Sequence, residues 1–185
     1  EANLYEGPQD FMVKISQTTS YFEDEEIPAV TGATVVVTDE KGLSTTLTDI
    51  SNGYYVIDNY TGTANQSYKL DIDLANGENI SGTSFLPTPA IVDALIFEFE
   101  EESLFGKSGY IPYTVFLDPK NEENYYRLIL TVNGDRLDKL NDDDFFLFDD
   151  KFVEGNLVII PFFSKRFDLG DVIEVELVSM DNVTY

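Results

Sequence analysis

Carboxylates are the chemistry-bearing side chains this sequence has in quantity, and they are densest in residues 141–150, NDDDFFLFDD. There Asp142, Asp143, Asp144, Asp149 and Asp150 flank four large apolar residues. Grouped carboxylates suit a hard, oxygen-loving cation such as calcium. An EF-hand loop would need ligands at alternate positions and glycine at the sixth. Counting from Asp142 puts Phe146 at the fifth position, and counting from Asn141 puts Phe145 there and Phe146 in the place of the glycine. DIDLANGE fails too, because Ala75 falls on the third ligand position. Calcium is therefore expected here only in a non-EF site, with these five aspartates as its ligands. The competing reading is a short strand with charged ends, in which Phe145 and Leu147 share one face and Phe146 and Phe148 the other. Both faces would be apolar, so one needs a second cover, either a neighbouring domain or loop or another protein. Phe145, Phe146 and Phe148 are the residues that would meet such a partner.

The residue types that are missing narrow the chemistry further. The 185 residues include no cysteine, histidine or tryptophan. Disulfides, thiolate metal sites, imidazole-ligated zinc and ordinary serine triads are thereby excluded. Paired carboxylates, a Ser-Lys couple or a magnesium-type site remain as catalytic options, but no motif marks any of them. A non-enzymatic protein without a cofactor is the expectation, a carboxylate-based hydrolase the distant alternative. Thirty-five acidic against eleven basic residues give a formal charge of -24. Such a surface repels nucleic acid and anionic headgroups; it reads first as a means of keeping the chain in solution and, as the alternative, as a site for a cation or a basic partner.

Chemistry of this kind has to be positioned by strands. SYKLDIDL alternates, with Tyr68, Leu70, Ile72 and Leu74 facing a core and Lys69, Asp71 and Asp73 facing water. Asn76-Gly77 and ENISGTSF follow, so residues 67–85 are predicted to form a β-hairpin. FMVKIS, TVVVTD, STTLTD, GYYVID, IVDALIFEFE, YIPYTVFLD, YYRLILTVNG, NLVIIPFF and DVIEVELVS read the same way, between Gly, Asn, Asp and Pro turns. Only residues 135–141, DRLDKLN, suit a short helical turn. FEDEEIP, residues 22–28, reads as a solvated acidic loop. The aromatic pairs Tyr54-Tyr55, Tyr125-Tyr126 and Phe162-Phe163 each set one ring on either side of a strand. Tyrosine also stacks on sugars, which keeps a glycan-binding reading in view. Pro87 and Pro89 in LPTPA exclude that stretch from a central strand and mark a domain boundary. The expected fold is all-β, as two tandem β-sandwich domains, immunoglobulin-like or prealbumin-like, over residues 1–87 and 88–185.

Taken in succession, VKISQTTSYF, VTGATVVVTDEKG, GYYVID, LPTPAIVDAL, ENYYRLILTVNG, FFLFDDKFVEGN and FDLGDVIEVELVSM resemble an outer-membrane lipoprotein family of the Bacteroidetes, domain-of-unknown-function family 4249. The resemblance covers most of the chain. It implies a lipidated cysteine upstream of this sequence, anchorage in the outer membrane at the surface or periplasmic face, and a TonB-dependent transporter as partner. The start EANLYEGPQD lacks the features of a signal peptide, and no apolar run approaches the roughly 20 residues of a membrane span. The membrane is therefore expected to be reached only through that upstream anchor, and a further C-terminal portion is expected beyond Tyr185. On the family reading, FFLFDDKFVEGN is a strand and a turn shaped by Asp149, Asp150 and Gly155. The function so implied is that of a non-enzymatic accessory subunit of an outer-membrane complex; an independent calcium- or glycan-binding adhesion module is the alternative.

Overall fold

Strands make up most of the computed structural model, which describes residues 1–18, 27–101, 107–120, 123–137, 146–153, 155–163 and 165–182. The protein is all-β: among the described residues there are fourteen strands, paired in antiparallel fashion, and no helix. The chain divides into two compact units, Glu1–Pro87 and Thr88–Tyr185.

In the first unit, β1 (Gly7–Lys14), β2 (Thr34–Thr38), β3 (Ser44–Thr46), β4 (Thr48–Asp49), β5 (Tyr54–Gly62), β6 (Gln66–Asp73) and β7 (Asn79–Leu86) form two sheets, β1-β5-β4 and β3-β2-β6-β7. The core between them is built from alternate residues of four of these strands: Phe11 and Val13 from β1, Tyr55 from β5, Val35 and Val37 from β2, and Tyr68 from β6. Met12 and Lys14, one step out of phase, are exposed. Leu70 and Ile72 pack against the same core, as the alternation of SYKLDIDL predicts. Buried tyrosines must still satisfy their hydroxyls. Tyr55 donates to the Val30 carbonyl and accepts from the Ala33 amide, both at 3.1 Å.

The expected hairpin is present, with β6 and β7 in register from Gln66↔Leu86 to Asp73↔Asn79. Its loop is longer than a two-residue turn. A type I′ turn needs positive φ at both central residues. Here Gly77 has φ +90° but Asn76 does not join it. Instead the Asn76 side chain accepts from the Glu78 amide at 3.0 Å, and the loop closes through Leu74 N–H to the Glu78 carbonyl.

In the second unit, β8 (Val92–Glu100), β9 (Gly109–Leu117), β10 (Tyr125–Val132), β11 (Asp135–Leu137), β12 (Phe146–Asp149), β13 (Leu157–Pro161) and β14 (Ile173–Met180) also form two sheets. One runs β13-β9-β8. In the other, β10 pairs along its full length with β14 and, in successive stretches, with β12 and β11. Between the sheets Phe116, Val158, Tyr126, Leu128, Leu130, Phe162 and Phe167 are buried. The helical turn expected at residues 135–141 is corrected over 135–137, which form β11. Asn133 and Gly134 both take positive φ, +51° and +88°, and form the two-residue hairpin that folds β11 back onto β10, with Val132↔Asp135 as the closing pair. Residues 138–141 lie outside the described residues.

Candidate functional site

The aspartate-rich stretch divides into residues of different standing. Asp142, Asp143, Asp144 and Phe145 lie outside the described residues, as do residues 22–26 of the acidic loop. Asp149 ends β12 opposite Tyr125. Asp150 turns inward and is buried. Its Oδ2 accepts from the Asn124 amide at 2.8 Å and from Asn124 Nδ2 at 3.2 Å, while its own N–H donates to the Asn124 carbonyl at 3.1 Å. This is a reciprocal clasp between two chain segments. Among the described residues no three carboxylates converge as a metal site would require. The turn that follows uses Asp150, whose carbonyl accepts from Val153 N–H, and Gly155, at φ +68°.

The aromatics of the same strand face the other way from a contact surface. Phe146 packs edge-on against buried Phe162, with centroids 4.9 Å apart. Phe148 stacks in a tilted arrangement on Tyr126 and Phe116, at 5.3 and 6.2 Å. The partner-facing role expected for Phe146 and Phe148 is thereby corrected: their cover is the unit's own core. Leu147, between them, is the residue on the outward face.

A second buried carboxylate was invisible in the sequence because its partners are distant in the chain. Asp118, at the end of β9, is 1% exposed. Its Oδ1 accepts from the Tyr126 hydroxyl at 2.6 Å and its Oδ2 from the Gly155 amide at 2.7 Å. Asp118 N–H also donates to the Asn156 carbonyl. Fixed donors of this kind offset the cost of burying the charge. The carboxylate thereby joins the start of β10 to the β12–β13 turn.

Exposed carboxylates follow the same pattern. Asp49 accepts from the Gly32 and Ser51 amides, which hold its pKa below the usual carboxylate value, the Gly32 bond contributing most. Asp171 accepts from Asn133 Nδ2 and the Asp168 amide and is lowered for the same reason. The Tyr125 hydroxyl donates to Glu123, and its pKa is pushed up to about 12, chiefly by that bond. The carboxylates described here act as braces for turns and strand ends.

The surface that stands out is apolar. On the sheet β13-β9-β8, core-facing residues are Val158, Phe116, Ile160 and Thr114, so their neighbours in sequence point outward. In register, Leu157 lies beside Leu117, Ile159 and Ala94 flank Val115, and Pro161 and Ile96 flank Tyr113. Phe163 meets Tyr113 edge-on with centroids 6.3 Å apart. The exposed members keep from 48% (Ile96) to 60% (Phe163) of their surface open, with Leu117, Leu157 and Ile159 between. Isolated exposed apolar residues are ordinary, but neighbouring ones on three adjacent strands form a contiguous patch. The signal was present in NLVIIPFF and YIPYTVFLD, where apolar residues occupy both parities of the strand.

An all-β protein of antiparallel sheets, with carboxylates used as braces and one sheet face left apolar, is the class these features define. The family can be stated as well. The whole chain, residues 1–185, matches the model of the domain of unknown function DUF4249, and the chain belongs to that family. No curated protein and no solved structure matches it significantly.

Proposed function

We propose that this chain is a non-enzymatic binding subunit: a surface-associated lipoprotein of two β-sandwiches in series, held at the outer membrane by a lipid upstream of this sequence. Its partner is an outer-membrane protein complex, with a TonB-dependent transporter as the expected core. The observation that carries the reading is the open apolar face of the β13-β9-β8 sheet, which in water favours a protein that covers it. Two further features support it. The chain lacks histidine and cysteine, and the buried carboxylates Asp118 and Asp150 are committed to hydrogen-bond donors within the unit.

The test is isolation of the tagged full-length protein from membranes of its native host in mild detergent, with mass spectrometry of what accompanies it. Stoichiometric recovery of an outer-membrane barrel, lost in Ile159→Glu, is the expected result. Fractionation as a free soluble protein with no membrane partner would overturn the proposal.

A further inference from the structure

The outward face of the β13-β9-β8 sheet changes character along its length. Leu117, Leu157, Ile159 and Ile96 are the exposed members of its apolar part, around half-buried Tyr113 and buried Val115. Continuing along the same register, Glu98 lies opposite Ile111 and Glu100 opposite Gly109. Because these pairs share the parity of the apolar rows, both glutamates stand on the same face. Arg166 is a cation at this end. Its guanidinium is already engaged by Glu100 and donates to the Phe163 carbonyl at 3.0 Å. Glu98 stands at the junction of the two parts beside Tyr113, whose hydroxyl pKa is raised first by burial and then by its hydrogen bond to Glu98.

We infer that this face receives a different polypeptide, whose contact surface is an apolar strip bordered at one end by lysine or arginine; the inference rests on the binding-subunit reading above. A second copy of this chain fits poorly. Stacked antiparallel, two such faces would set the glutamates of each over Leu117 and Leu157 of the other and strip carboxylates of water without a partner. Stacked parallel, they would set glutamates against glutamates, in chains that each carry a formal charge of -24. Size sets a further requirement. Seven residues of strand by three strands cover roughly 300 Å², whereas a stable interface takes about 800 Å² from each partner. The face therefore serves as the apolar centre of a larger contact, and the acidic end sets its direction.

The test uses the full-length protein in its native host, with a photo-crosslinking amino acid at Ile159 or at Ile96 and sequencing of the crosslinked peptides. The expected peptides come from one partner, apolar at Ile159 and carrying Lys or Arg at Ile96. Glu98→Lys should lower the crosslinking yield about tenfold or more, and changing the partner's basic residue to Glu should restore it. The same charge change at exposed Asp58 on β5 should leave the yield unaltered. Crosslinks to a second copy or to lipid, peptides without a basic residue, or a yield indifferent to Glu98→Lys would overturn the inference while a co-purified membrane partner left the functional reading standing. Absence of any co-purified membrane protein would overturn both.

Discussion

Removing one oxygen atom, by Tyr126→Phe, tests whether Asp118 is a brace. In the native protein that hydroxyl donates to Asp118 Oδ1 at 2.6 Å, and both residues are inaccessible to water. The variant keeps the ring contacts with Phe116 and Phe148, so packing is preserved and the change is confined to the hydrogen bond. Asp118 retains the Gly155 amide at Oδ2, and among the described residues no second donor stands ready for Oδ1. A buried hydrogen bond to a charged group is worth about 1.5–3 kcal/mol. For a unit of about 100 residues, ~2 kcal/mol lowers the melting midpoint by about 8–16 °C. The assay is differential scanning calorimetry, with urea unfolding followed by circular dichroism because the chain lacks tryptophan. Tyr125→Phe is the control, since its hydroxyl meets an exposed Glu123 and its loss should cost less than about 0.5 kcal/mol. A Tyr126→Phe midpoint within about 2 °C of the native value would refute the reasoning.

Thr114 offers the opposite sign: its Oγ1 is fully buried between the sheets and has no hydrogen-bond partner among the described residues, so Thr114→Val should hold or raise stability by about 1 kcal/mol, read by urea unfolding. Gly134→Val forces a β-branched residue to φ +88° in the β10–β11 turn and should cost about 1–2 kcal/mol or more, by the same measurement. The Asp49 pKa is depressed in the folded protein, so its contribution is present above the unfolded value and is lost as pH falls through the lower folded one. Carboxyl-detected NMR titration should therefore place its midpoint below 3.8, and Asp49→Asn should flatten the stability profile between that midpoint and the unfolded pKa. Ile159→Glu, on an exposed position, should shift stability by no more than about 0.5 kcal/mol while abolishing partner recovery, which separates a binding role from a folding one.

Alternation made β6 readable because Tyr68, Leu70 and Ile72 have one buried side and Lys69 and Asp73 one wet side. The dipeptide Asn-Gly was less informative. At 133–134 both residues enter the left-handed region and make a tight hairpin, whereas at 76–77 only the glycine does, because the Asn76 side chain is used to close a wider loop. β11 was missed since RLDKL has no period-two alternation, and pairing with β10 decides its form instead. For FFLF, apolar residues at both parities concealed which pair faces the core. The same ambiguity hid the open sheet face: NLVIIPFF states that both sides are apolar but not that one of them lacks a cover. Asp118 was illegible for a different reason. Its burial depends on Tyr126 and Gly155, partners brought together only by the completed fold.

The pairing of β14 with β10, continuous from Tyr125↔Met180 to Val132↔Ile173, also bears on how the chain is made. Among the described residues every sheet partner in the first unit lies within its own 87 residues, so on a ribosome that unit can complete these ladders while the second is still being synthesised. The second unit cannot. One whole edge of β10, its central strand, stays unpaired until residues 173–180 emerge, about 40 residues later. For a few seconds at ordinary synthesis rates a nascent chain would display that Leu- and Ile-rich strand edge to whatever chaperone or export factor stands nearby, and the last long strand acts as the latch that withdraws it.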